Sequence, residues 1–483
     1  MTLGVVNRQK RAAIYYVFFG ALAFRFSSAL MSDFLNIWDE QFHALAAKNM
    51  ATTPFTPRLY PQALIPYIYE DWSTNYIWLH KQPYFLWQMA LSIKVFGPTT
   101  LATRIPSILM SSAMVFFIAD IGKKLGSKEA GFIGAVAWSL SFFSILLPSG
   151  LIHTDHNDVA FVFLVTGSIW SWLRYEENPR FKRALWIGIW VGLAILTKWL
   201  VGLGAFLVWG IYLLIKKEWK LSPWVHMLTS LLVVIAIAAP WNLYVYKAFP
   251  VEAAIEMKMN ATHFTEAVEA HSGPWYFHLR QLGPIYGWFL LPFALWGIVF
   301  GMRRKPKSLA LLAWVLFMHV FFGIAATKMV AFTYPIASLA FVAIGWGIWD
   351  IFQKLQEVGL GPFPLKLGFS SRNWKIFSTA GFLVLGILVL NPLKIAKSNS
   401  LSNEFRRERF SIAQMSKALQ AAGKANHTIV IELPDNTHPL LMYYSDAIGY
   451  DFRPNPTDLK TLKQTGKRIL RYDSESKTLV PEI

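Results

Sequence analysis

The sequence predicts an all-α polytopic membrane protein of about 11–13 transmembrane helices, with long outer loops and a small soluble α/β region at its C-terminal end. Three observations carry that prediction. Apolar blocks recur from Ala12 to Pro392. Only 15% of the 483 residues are charged, against about a quarter in a soluble domain. The Lys and Arg residues collect in short loops at alternate ends of the blocks, as the positive-inside bias requires.

Crossing ~30 Å of hydrocarbon takes roughly 17–25 mostly apolar residues. Candidate spans are 12–32, 101–122, 129–149, 157–173, 184–198, 200–215, 223–246, 284–302, 308–326, 329–350 and 376–392. The short neighbours 184–198 and 200–215 predict a tight hairpin. With the N-terminus inside, the inner loops are Lys123-Lys124-Lys128, Arg174 to Arg183, Lys216-Lys217-Lys220, Arg303 to Lys307 and Lys354 to Lys375, all basic. Tyr84–Gly97 is apolar but short, and holds Lys94. As a span it would reverse every later loop, so it reads as an interfacial helix on the outer surface. The membrane domain is then 1–394, with outer loops at 32–100 and 247–283. Residues 395–483 turn polar and predict a small outer-face domain, with a helix over Glu404–Ala422 and β-like runs at His427–Leu433 and Lys467–Tyr472.

The composition also excludes. A net charge of +18 would suit a nucleic-acid partner, but the basic residues lie between helices, so no nucleic acid is expected. With no cysteine, disulfides, thiolate nucleophiles and Cys-ligated zinc are ruled out. Met1–Leu30 has the basic start and apolar run of a signal peptide, yet Arg25 interrupts the cleavage region, so it reads as an uncleaved first span. No Walker loop and no Gly-x-Ser-x-Gly elbow is present.

The residues capable of chemistry sort to the outer ends. Asp39-Glu40 follow the first span, where an acidic pair can act as a general base, bind a cation, or simply cap the next helix. Asp155 and Asp158 open the fourth crossing, and with His156 they are candidate metal ligands, since imidazole and carboxylate often combine. A cap and a solvated loop is the plainer alternative. Lys198 and Lys328 each sit at a span end, where a lysine commonly snorkels to the interface. Two on the side that should be poor in lysine suggest more. With Arg58, His80, Lys81 and His271 they could neutralise a phosphate at headgroup depth.

In order, the strings around these residues resemble the polyprenyl-phosphate-dependent membrane glycosyltransferases of GT-C type. The similar branches are the dolichyl-phosphate-mannose protein mannosyltransferases and the bacterial aminoarabinose–lipid A transferases. The resemblance spans about residues 12–350. It rests on WDE after the first span, TPRL, HKQPYFLW and ATRIPS, then TD at Asp155, LTKW, HSGPWYFHL and TKMVAFTYP. It implies a GT-C-like fold and transfer of a sugar from a polyprenyl-phosphate donor, undecaprenyl phosphate in bacteria. The implied acceptor is a lipid A-like glycolipid, a glycan or a protein, at the periplasmic face of the bacterial inner membrane.

Asp39 matches the family's catalytic acidic position, the general base of an inverting displacement, with Glu40 beside it. Asp155 or Asp158 matches the second acidic position. Lys81 matches the lysine of a Lys-Pro-Pro stretch, although Gln82 replaces its first proline. Lys198, His271 and Lys328 match positions near the lipid phosphate. No cofactor is required; a divalent metal ion held by Asp155, Asp158 and His156 stays open. The alternative is a multi-span lipid or solute transporter or flippase, for which ionisable residues near the midplane and internal repeats would be expected. No repeat is visible.

Overall fold

The computed structural model describes residues 3–36, 38–69, 71–152, 156–302, 305–357, 384 and 386–482. Among the described residues, fifteen α-helices run up to residue 357: α1 (Leu3–Leu30), α2 (Asp39–Met50), α3 (Pro83–Phe96), α4 (Thr100–Leu125), α5 (Lys128–Leu140), α6 (Phe142–Leu146), α7 (His156–Glu177), α8 (Phe181–Lys198), α9 (Gly204–Ile215), α10 (Leu221–Ala248), α11 (Pro250–Thr265), α12 (Phe277–Tyr286), α13 (Leu291–Trp296), α14 (Pro306–Ile324) and α15 (Ala337–Glu357). Among the described residues, five helical stretches are long and apolar enough to cross a bilayer, or seven if two bent pairs each count as one span. The chain is an integral membrane protein of all-α polytopic type.

Caps set several starts: Thr99 and Ser127 accept from the backbone at the heads of α4 and α5, satisfying N–H groups that a helix leaves orphaned. Close packing follows small residues, with Gly122 of α4 against Gly131 of α5, and Gly134 of α5 against Gly345 of α15. Such contacts let helix backbones approach where lipid offers no hydrophobic drive between helices.

The break between α5 and α6 bends the chain by 55°. Arg25 of α1, fully buried, answers it. Its guanidinium donates to the carbonyls of Ala21, Ser139 and Trp138 and to the hydroxyls of Ser111 and Ser144. Carbonyls freed at a broken helix need such partners inside a membrane.

Other spans read from sequence also take different shapes. Residues 284–302 form no straight helix: α12 and the α13 stretch meet at 111°, where Pro284 lies in α12 and Gly287 adopts φ +89°. The 329–350 span begins as a 3-10 segment, Val330–Ile336, that contains Pro335. The expected hairpin of 184–198 with 200–215 is not formed. A 3-10 turn over Trp199–Leu203 redirects the chain, and α9 packs against α14 and α7, with Gly204 seated on the Trp314 ring. The 376–392 span lies largely outside the described residues. Helix α3, about 21 Å long at 1.5 Å per residue, packs on α2 and α4.

The two ends of the bundle carry different groups. At one end Lys124 pairs with Glu177 at 2.6 Å, Lys305 donates to the Leu125 carbonyl at 2.7 Å, and Lys354 meets Asp350 at 3.0 Å. The other end carries α2, α3 and the 247–283 segment, where α11 forms a helix that the sequence reading left as loop.

The C-terminal region has a helix over Glu404–Ala421 and strands β1 (Thr428–Ile431), β2 (Ile448–Gly449), β3 (Arg468–Asp473) and β4 (Thr478–Pro481) in sheet order β2-β1-β3-β4. β1 lies parallel to β2 and β3, and β4 closes the sheet antiparallel. It docks on the end that carries Asp39. The Tyr444 hydroxyl accepts from the Leu35 amide at 2.9 Å and pairs with Thr100 Oγ1 at 2.6 Å, while Lys48 Nζ donates to the Met442, Tyr443 and Ser445 carbonyls.

Candidate functional site

Asp39 is the first residue of α2; the cap position belongs to Trp38, which makes no side-chain cap. The carboxylate turns to Lys81, whose Nζ lies 3.5 Å away, and to His43 Nε2 at 3.9 Å. The Asp39–Lys81 pair is partly exposed, at 30% and 21% of the side chains, so both groups can meet a ligand. Burial holds the His43 imidazole well below its ordinary pKa, with Asp39 opposing and Lys81 adding to the depression. His43 is therefore neutral beside Asp39 at physiological pH.

Glu40 faces the other way, into the protein, and is 4% exposed. Its Oε1 accepts from Arg104 Nε at 2.7 Å and meets His156 Nε2 at 3.1 Å; its Oε2 accepts from the Asn36 amide at 2.6 Å. Arg104 also donates to the carbonyls of Ala29, Ser32 and Phe34. Burial by itself would raise the Glu40 pKa, but Arg104 and His156 together bring it down to about 2. Gly150 completes the seat: its φ is +67° and any Cβ there would overlap the Glu40 carboxylate. Glu40 thus ties the end of α1, the head of α4, the 149–151 turn and the head of α7 around Asp39.

Asp158 in the first turn of α7 pairs with Lys198, whose Nζ also lies 5.7 Å from the centre of the Phe332 ring. Asp155 lies outside the described residues. His80 stacks on Trp72 with centroids 4.3 Å apart and planes 3° from parallel, and its Nδ1 meets Glu256 Oε1 at 3.1 Å. Burial opposes the charge on Glu256, yet His80 beside it holds the carboxyl below its ordinary range.

The remaining candidates serve the backbone in this structure. Arg58 donates to the Pro61 carbonyl and the Tyr76 hydroxyl. Lys328 is 5% exposed, with its ammonium on the carbonyls of Phe322, Gly323 and Ala325 at the end of α14. His271 is exposed, and its carbonyl accepts from the Lys328 amide. Among the described residues, no group of three metal-binding side chains comes together. His156 bridges Glu40 and Ser107 Oγ.

The structure therefore gathers Asp39 with Lys81, Glu40 with His156, Asp158 with Lys198, and His80 with Glu256. Arg104, His43 and Glu256 were not singled out from the sequence as site residues. Arg104 left a signal, an arginine just inside an apolar span, which marks a position held by a specific partner.

The family model described as dolichyl-phosphate-mannose-protein mannosyltransferase matches residues 80–244. A curated relative, the undecaprenyl phosphate-alpha-4-amino-4-deoxy-L-arabinose arabinosyl transferase 1 of Pseudomonas fluorescens, is 24% identical over 52% of this chain and 46% of its own length. The corresponding transferase 2 of Proteus mirabilis is 24% identical over 57% of this chain and 50% of its own. The chain thus spans about half the length of the curated relatives it matches. Among solved structures, ArnT from Cupriavidus metallidurans in the apo state aligns with a TM-score of 0.65 at 16% identity, covering 93% of this chain and 90% of that one. The archaeal oligosaccharyltransferase AglB from Archaeoglobus fulgidus, in complex with an inhibitory peptide and a dolichol-phosphate, aligns at 0.59 with 12% identity, over 96% and 69%. The chain has the GT-C-type fold that these structures share.

Proposed function

We propose that the protein transfers a sugar from a polyprenyl-phosphate donor to a hydroxyl acceptor, at the periplasmic face of a bacterial inner membrane. The observation that carries the reading is the partly exposed Asp39 carboxylate held 3.5 Å from Lys81, a base beside a cation at the same end as Asp158–Lys198. The likeness to two undecaprenyl-phosphate-aminoarabinose transferases supports the donor class.

In the proposed step, the acceptor oxygen attacks the anomeric carbon as Asp39 takes its proton. The bond from that carbon to the phosphate oxygen breaks, and the electron pair leaves on the polyprenyl phosphate. Lys81 offsets the growing charge on the leaving group, as a fixed cation does best where water is excluded. One displacement inverts the anomeric centre. Neutral His43, wedged beside Asp39, does not compete with Lys81 as a cation. Glu40 stays out of proton transfer because Arg104 keeps it charged and fully engaged. Its part is to hold the turn that carries Asp39.

General-base help is worth ~10²–10⁴ in rate. Asp39→Asn should lower the release of free polyprenyl phosphate by at least about 10²-fold, with the variant folded in detergent. Near-normal turnover by that variant would remove Asp39 from the role. No release by the wild-type protein from any undecaprenyl-phosphate sugar would remove the reading and favour transport.

A further inference from the structure

We infer that Arg406, in the C-terminal region, is a positioning residue for Asp39, so that this region completes the transfer site. The inference rests on the proposed transfer for the role of Asp39, though the brace itself does not.

The chain between α1 and α2 delivers Asp39 at its far end. Trp38, just before it, has φ +62° and ψ −126°, a backbone region that suits glycine and that a bulky residue enters only at a cost. Such a conformation persists where its surroundings over-determine it. Arg104 supplies one side of those surroundings, on the carbonyls of Ala29, Ser32 and Phe34. The C-terminal region supplies the other.

Arg406 lies in the first turn of the Glu404–Ala421 helix. Its Nη1 donates to Asn36 Oδ1 and its Nη2 to Ser32 Oγ at 3.3 Å, while the guanidinium lies 4.9 Å from the centre of the Phe34 ring. Asn36 in turn donates its backbone N–H to Glu40 Oε2 at 2.6 Å. This chain of contacts ends on the residue beside Asp39. Just past Asp39, Gln41 donates to the Asn436 carbonyl, so the C-terminal region touches the chain on both sides of the carboxylate.

Of the contacts between the two regions, Arg406 is the one suited to set geometry. Lys417 and Asp33 pair at 2.9 Å but are 33% and 73% exposed, and such a pair is worth little. Lys48 grips the C-terminal region from the last turn of α2, away from Asp39. Arg406 is half-buried, and its planar fork takes two acceptors at once. Both lie in the segment that leads to Asp39. It acts through Asn36 and Glu40, and a displacement of ~1 Å at a reacting group can cost ~10²-fold in rate.

The test uses the full chain in detergent, with undecaprenyl-phosphate aminoarabinose as donor and lipid A as acceptor. It reads kcat, donor KM and amide hydrogen exchange. Arg406→Met should lower kcat at least about tenfold with donor KM within about twofold. Exchange should quicken over residues 32–41, while the Thr428–Ile431 strand stays protected. Arg406→Lys, which keeps a single donor, should recover part of the rate. Asn36→Leu should lose about as much as Arg406→Met, and the double variant little more than either. If Arg406→Met does not fold, Asn36→Leu and Arg406→Lys carry the same readings. Arg453→Met, at an exposed pair of the same region, should keep the wild-type kcat. An unchanged kcat, additive losses in the double variant, an equal loss in Arg453→Met, or unchanged exchange over 32–41 would overturn the inference. A wild-type protein that turns over no donor would sink the transfer reading, and the exchange result would still decide the brace.

Discussion

Removing the Arg104 guanidinium should cost this protein more stability than any other single charge change near the site. In Arg104→Met, Glu40 stays buried with its cation gone, and breaking a buried pair from one side costs ~3–5 kcal/mol. The carbonyls of Ala29, Ser32 and Phe34 lose a charged donor as well, at about 1 kcal/mol or more each where water cannot replace it. A total of roughly 5 kcal/mol allows for some repacking and is a large part of the ~5–15 kcal/mol by which folded domains are held. Thermal unfolding in detergent, followed by tryptophan fluorescence, should show a melting temperature lower by about 5–10 °C. Arg104→Met combined with Glu40→Leu should recover most of the loss, because the uncompensated charge is gone and an apolar pair fits a buried site. A single variant within 1–2 °C of wild type, or a double variant no better than the single, would refute the account of Glu40 as a buried hub.

The same hub fixes a pH dependence. Because the folded pKa of Glu40 is near 2 and its ordinary value is 4.5, its contribution is complete above pH 4.5 and fades as pH falls toward 2. That contribution is ~3 kcal/mol, so wild-type stability should decline more steeply across that window than Glu40→Gln, and parallel curves would contradict it. Gly150→Ala should destabilise by about 2 kcal/mol, within the ~1–3 kcal/mol of a strained backbone position, since it strains a positive φ and pushes on Glu40; an unchanged melting temperature counts against the close seat. Lys328→Met should lower stability by ~1–3 kcal/mol through orphaned carbonyls at the end of α14. Lys81→Met, at a partly exposed pair worth about 1 kcal/mol or less, should leave stability nearly unchanged and slow transfer at least about tenfold. The opposite pattern in calorimetry and turnover would exchange their roles.

Much of this site was visible as a set of residues and little of it as a set of partners. Asp39, Lys81, Asp158 and Lys198 were legible because each is an ionisable group at the end of an apolar run, where desolvation makes it costly to keep without a use. Which of them meet was not legible. Asp39 and Lys81 lie far apart in sequence, and their approach depends on how α2 and α3 pack. The division of labour within Asp39-Glu40 was hidden too, because adjacent helical residues point about 100° apart and one faces the cleft while the other faces Arg104. The failed hairpin has the same origin: span lengths predicted two neighbours, but Gly204 lets α9 close on Trp314 of α14 instead.

The sequence by itself determined the all-α membrane class. That class follows from transfer free energy and from the placement of Lys and Arg, which are properties of composition and order along the chain. Only the tertiary structure decided the ion pairs and the bent spans. Those depend on the rotation and contact of helices distant in sequence, where a shift of one residue turns a side chain from the cleft into the core.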